Sequence, residues 1–142
     1  MIDPVNGQGL PDVASGWVKR WAPLIPKHGR VLDLACGNGR HARYLTGLGF
    51  SVIATDIEAS ALAGLESVAT IETLRADLER EEWPFPGRSF DGIVVVNYLH
   101  RPLLRKLAQA LDASGVLIYE SFAQGNEHYG RPSNPDYLLR PG

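Results

Sequence analysis

The sequence predicts an open α/β fold, a doubly wound parallel sheet with helices on both faces. Three observations carry that prediction. Short apolar or β-branched runs of strand length recur at 31–34, 51–55, 93–96 and 116–119. Stretches with helical spacing lie between them, so the chain reads as βα after βα, which sets strands side by side in parallel. Polar residues close the runs, among them Asp56, Asp77, Asn97 and Glu120. They fall at the carboxyl edge of such a sheet, where ligands bind. The 142 residues suit a single domain, and 44% apolar content is enough to build its core.

The elements follow in order. Residues 1–11, rich in proline and glycine, predict a flexible segment ahead of one domain over 12–142. Asp12 is placed to cap a helix with Val13, Trp17 and Trp21 at i, i+4 and i+8, a packing stripe ended by Pro23 and Pro26. A first strand at 30–35 runs into Cys36-Gly37-Asn38-Gly39 and opens a helix at 39–48. Glycines at 37 and 39 let the backbone approach a nucleotide-like ligand, and Ala42 lets the helix pack closely on the strand. A second strand at 51–55 ends at Asp56, 17 residues after Gly39, where a carboxylate can accept both hydroxyls of a ribose.

A short helix at 58–68 leads to a strand at 71–77 whose alternation suits a sheet edge. Asp77 closes that strand or caps the turn after it. Glu79-Arg80-Glu81-Glu82 reads as a solvated surface, and Trp83-Pro84-Phe85-Pro86 as a rigid connector. The strand at 90–97, β-branched at its centre, belongs in the sheet interior. A helix at 103–111 puts Leu103, Leu104, Leu107 and Leu111 on one face, and a fifth strand follows at 115–122. The stretch 123–142 is too long for a simple connection, and is either a functional loop or a disordered tail.

Composition narrows the function. A net charge of −2 gives no broad basic footprint, which disfavours nucleic acid and favours a small-molecule substrate. The single cysteine, Cys36, allows no disulfide within the chain and no zinc spacing, which suits a reducing cytoplasm. It reads as a small apolar filler rather than a nucleophile. The N-terminus has no basic segment followed by an apolar one, and the apolar runs are strand-sized, so neither secretion nor a membrane span is expected.

Asp33 is the exception in its strand. A buried carboxylate is costly unless a cation or several donors sit beside it, so it either meets a ligand ammonium or is held by hydrogen bonds of the loop. In this setting Asp33-Leu34-Ala35-Cys36-Gly37-Asn38-Gly39-Arg40 resembles the first motif of class I S-adenosylmethionine-dependent methyltransferases. The resemblance covers roughly residues 12–142. It implies a Rossmann-like sheet of five parallel strands in the order 3-2-1-4-5. It also implies S-adenosyl-L-methionine as cofactor, S-adenosyl-L-homocysteine as product, and no metal. Asp33 would lie at the methionine end, Gly37 and Gly39 at the close approach, Asp56 at the ribose, and Asp77 and Leu78 at the adenine. Ala35, Cys36, Ile57 and Asn97 complete the implied cofactor site. Arg40 either reaches the methionine carboxylate or lies on the helix surface.

The segment 97–102 resembles the region that borders the transferred methyl group in that family. It lacks the Asn-Pro-Pro-aromatic pattern of enzymes that methylate base amino groups, which disfavours such acceptors. Asn97, Tyr98, His100 and Glu120 are the catalytic candidates, with Arg101, His128, Tyr129 and Arg131 on the substrate side. His100 and Arg101 either serve an acidic substrate or cap the following helix. The last stretch resembles the closing loop of small bacterial methyltransferases of the tellurite-resistance type. Family members usually continue into a further helix and two more strands. The fifth strand here is therefore expected as a bare edge, which either pairs two copies into a homodimer, reflects a domain truncated at its C-terminus, or leaves the chain poorly active alone. Two other classes share these features: a NAD-dependent oxidoreductase, and a non-catalytic module that binds S-adenosylmethionine.

Overall fold

The computed structural model describes residues 13–121. Strands β1 (Arg30–Leu34), β2 (Ser51–Asp56), β3 (Ile71–Arg75), β4 (Phe90–Val96) and β5 (Leu111–Glu120) form one sheet in the order β3-β2-β1-β4-β5. Every pairing is parallel. The helices are α1 (Gly16–Trp21), α2 (Arg40–Gly47), α3 (Ala59–Ala63) and α4 (Leu104–Gln109).

Alternation along each strand divides the core into two layers. Val31, Val52, Ala54, Val94 and Ile118 point to the side covered by Val18 of α1, Ala42 and Leu45 of α2, and Leu62 of α3. Leu32, Leu34, Ile53, Ile93 and Val95 point to the other side, against Phe85, Phe90, Leu103 and the α4 residue Leu107. Burial on both faces is why these strands read as nearly continuous apolar runs. Asp33 takes its place in the alternation on the Val31 side. The chain moves outward from β1 to β2 and β3, then returns to place β4 on the opposite flank of β1. A crevice is left beyond the carboxyl ends of β1 and β4, where the strand order reverses.

Local details differ from the sequence expectation for identifiable reasons. Asp12 lies outside the described residues, and the cap of α1 is Ser15, whose Oγ accepts the Val18 N–H at 3.1 Å. The helix therefore starts after Val13. Val18 and Ala22 carry the contact with the core, while Trp17 is 45% exposed and rests edge-on against Trp21 with ring centroids 5.5 Å apart. Helix α3 stops at Ala63 with Gly64 as its cap, and turns occupy the remainder of the 58–68 stretch. In α4 the predicted face is partly exposed: Leu103 and Leu107 enter the core, while Leu104 remains in solvent.

Strand β5 begins earlier than expected because Leu111 pairs with Phe90, after which a bulge carries the chain outward until Val116 meets Gly92. Ser89 donates to Asp112 at 2.7 Å and holds that bulge. Among the described residues β5 is paired on one side, with Ile118 its buried side chain and Leu117 exposed. The expected flexible segment 1–11 and the long stretch 123–142 lie outside the described residues. Among the described residues no helix is long and apolar enough to cross a membrane.

Gly92 shows how tightly the first layer is filled. A Cβ there would stand 2.7 Å from Cδ1 and 3.1 Å from Cγ1 of Ile25, which is itself buried. Gly92→Ala is expected to destabilise the protein by about 1–3 kcal/mol through overpacking. Urea unfolding should show this as a lower midpoint with an unchanged slope.

Candidate functional site

A cavity of about 350 Å³ lies at the carboxyl ends of β1, β2, β3 and β4. Its wall brings together residues far apart in sequence: Asp33, Ala35, Cys36 and Gly37 from the first turn, Asp56 and Ile57 after β2, Asp77 and Leu78 after β3, and Asn97 and Tyr98 after β4. Arg40, His41 and Glu79 complete much of the remaining polar lining.

Asp33 is 2% exposed, and its Oδ2 has no hydrogen-bond partner. Burial is the main force lifting its pKa to about 7, helped by nearby Asp56 and opposed by a bond from the Ala42 backbone N–H and by Arg40. Helix α2 thus presents one of its first N–H groups to the carboxylate. The second oxygen is left without a partner, and Asp33 forms part of the cavity wall.

The turn between β1 and α2 is tightly specified. Ala35, Gly37 and Gly39 have φ of 55°, 56° and 84°, so left-handed residues alternate through it. Asp56 Oδ2 accepts the Gly37 N–H at 2.8 Å, and its Oδ1 accepts the Glu58 N–H at 3.0 Å. The Cys36 N–H donates to Thr55 O at 2.9 Å. Each oxygen of Asp56 retains acceptor capacity beyond its backbone bond. Gly39 lies off the cavity wall: a Cβ there would meet Leu65 Cδ2 at 2.5 Å, so the missing side chain serves packing beneath the turn. Cys36 is buried, and burial pushes its thiol well above the ordinary range. It is a filler, inert as a thiolate.

At the opposite end, Asp77 Oδ1 accepts the N–H groups of Glu79 at 3.1 Å and Arg80 at 3.2 Å. Asp77 therefore caps its turn while also facing the cavity. Glu79, read from sequence as surface, accepts the Tyr98 hydroxyl at 3.3 Å and stands 3.8 Å from His100 Nδ1. Burial first, then Glu79, drive the Tyr98 phenol upward in pKa. Tyr119 donates its hydroxyl to Tyr98 O at 2.5 Å, and burial pushes its own pKa up to about 12. Asn97 adopts φ 60° and donates its N–H to Glu120 O at 2.8 Å, turning the chain away from β4.

The remaining candidates are more scattered. His100 lies on an adjoining cavity of about 810 Å³ that shares Leu78 and Glu79 with the first. Glu120 is off both walls, with Oε1 buried and without a hydrogen-bond partner. Arg101 opens the short 3-10 turn Arg101–Leu103 ahead of α4. His128, Tyr129 and Arg131 lie outside the described residues. His41 was not anticipated. It is 4% exposed, lines the cavity, and accepts the Ser15 N–H at Nε2, 3.1 Å away. Its signal in the sequence was a polar residue one step before Ala42, on the face of α2 that meets the sheet.

A methyltransferase domain family matches residues 31–115 of the chain. YqeM of Bacillus subtilis (strain 168), named a methyltransferase, is 30% identical over 117 residues, which cover 73% of this chain and 47% of that protein. The chain thus spans about half the length of this relative. An S-adenosylmethionine-dependent methyltransferase from Mesorhizobium loti is structurally similar with a TM-score of 0.63 and 25% identity, covering 78% of this chain and 55% of its own. TehB from Haemophilus influenzae gives a TM-score of 0.61 at 25% identity, covering 72% of this chain and 38% of its own.

The raised pKa of Asp33 makes a stability prediction. Between the unfolded value of 3.8 and the folded value of about 7, the folded state keeps a proton that the unfolded state releases. The stability of the ligand-free protein therefore falls as pH rises through this window, by on the order of 4 kcal/mol at most. Asp33→Asn should melt close to the wild type near pH 4 and above it at pH 8. A difference in melting temperature that stays constant with pH would refute the assignment.

Proposed function

The chain belongs to the class I S-adenosylmethionine-dependent methyltransferases, and from that premise we propose that it transfers a methyl group from S-adenosyl-L-methionine to a small-molecule acceptor. The observation that carries this reading is the unpartnered, buried Oδ2 of Asp33 in the cavity at the sheet's switch point. An ammonium is the group that such an oxygen lacks. When bound, the cofactor supplies an activated methyl group on a sulfonium, open to in-line displacement by an oxygen, nitrogen, sulfur or metalloid nucleophile.

The chain's residues then have mainly binding and positioning to perform. Asp33 receives the ammonium, the Gly37 backbone allows close approach, and the remaining acceptor capacity of Asp56 takes the ribose hydroxyls. Asp77 and the Leu78 amide face the adenine. Asn97 and Tyr98 border the methyl group and exclude water. His100, beside Glu79, accepts a proton from an acceptor that must lose one, whereas Glu120, off both cavity walls, has no reach to it. Arg101, His128, Tyr129 and Arg131 belong to the acceptor side. The scheme needs no metal. The net charge of −2 supports a small acceptor over nucleic acid, the edge position of β5 among the described residues supports pairing of two copies, and the single cysteine supports a reducing cytoplasm.

Titration calorimetry with S-adenosyl-L-homocysteine, with NADH as control, tests the proposal. Micromolar binding is expected, weakened by about 10-fold or more in Asp33→Ala and in Asp56→Ala. A folded protein that binds neither ligand would overturn the reading. Unchanged affinity in Asp56→Ala alone would remove the ribose assignment.

A further inference from the structure

Two side chains of the cavity wall also hold a separate part of the chain. Arg40 Nη1 donates to Val13 O at 3.0 Å, and His41 Nε2 accepts the Ser15 N–H at 3.1 Å. Both residues belong to the first turn of α2, next to the Ala42 N–H that reaches Asp33. Ser15 is in turn the cap of α1: its Oγ accepts the Val18 N–H and its carbonyl accepts the Lys19 N–H at 3.0 Å. One continuous set of hydrogen bonds therefore runs from the buried acid through the start of α2 to the start of α1.

From this geometry we propose that His41 is a positioning residue that couples docking of the N-terminal helix to occupancy of the cofactor cavity. The imidazole performs this role only as a neutral ring with its proton on Nδ1, since Nε2 is an acceptor. Burial first, and Arg40 second, hold its pKa down at about 4, which keeps the ring neutral at ordinary pH. The bond is partly buried, and its loss leaves the Ser15 N–H with no partner in the same place. A ligand that contacts Arg40 and His41 also sets the angle at which they grip Val13 and Ser15. Coupling of this kind is reciprocal: docking of α1 tightens cofactor binding, and cofactor binding tightens docking of α1. The inference rests on the cofactor reading above.

The test is made at His41, because the Ser15 N–H points straight at Nε2 and any group put in its place would strike the ring: His41→Ala removes the acceptor and His41→Gln supplies another. Affinity for S-adenosyl-L-homocysteine is measured by calorimetry, and amide exchange over 16–21 is measured with and without that ligand. His41→Ala is expected to weaken binding about 5- to 10-fold. His41→Gln, which restores an acceptor, should recover most of the loss. The ligand should slow exchange over 16–21 in the wild type and in His41→Gln, and leave it unchanged in His41→Ala. If the wild type binds but ligand leaves wild-type exchange unaltered, or slows it equally in His41→Ala, the coupling is overturned while the cofactor reading stands. If the folded wild type does not bind, both fall.

Discussion

The turn between β1 and α2 is the constraint on which the site depends. Within residues 35–39 the chain must leave a buried strand, reverse, and enter a helix whose first N–H groups face back over the strand end. Three left-handed residues make the reversal sterically possible. The Asp56 carboxylate makes it rigid, by holding the Gly37 N–H from the end of the neighbouring strand. Parallel pairing of β1 with β2 brings Thr55 beside Leu34 and so delivers Asp56 to the turn. The sheet register and the shape of the cavity are therefore consequences of one another.

Asp33 stands directly beneath this turn and costs the fold stability. A residue of β1 flanked by Leu32 and Leu34 would be most stable as another apolar side chain. The carboxylate instead has one bond from Ala42 and an oxygen with no partner. Buried polar atoms are nearly always paired in folded proteins, so this oxygen is a local cost that the proposed ammonium contact would offset. The compensating packing is spread over two apolar layers on either side of the sheet.

Around the cavity, most of the ordering comes from side chains bonded to backbone rather than to one another. Asp77 closes the turn after β3, Tyr119 holds the Tyr98 carbonyl, and Arg40 and His41 hold the segment before α1. Such bonds fix loops that have little apolar surface of their own to bury. They also connect the wall to its surroundings.

The sequence by itself determined the alternation of strands and helices, the glycine turn with its flanking acids at 33, 56 and 77, and the interior place of the strand at 90–96. These are local: periodicity, β-branched runs, and glycine where a backbone angle requires it are written in neighbouring residues. The tertiary structure alone decided that Glu79 reaches Tyr98, that His41 reaches Ser15, and that Gly39 makes room for Leu65. It also decided that Ser15 rather than Asp12 caps α1, and that β5 bulges before joining β4. Each of these depends on which loops the sheet order brings together at one edge. That juxtaposition arises from the packing of distant segments, and no spacing within a single segment encodes it.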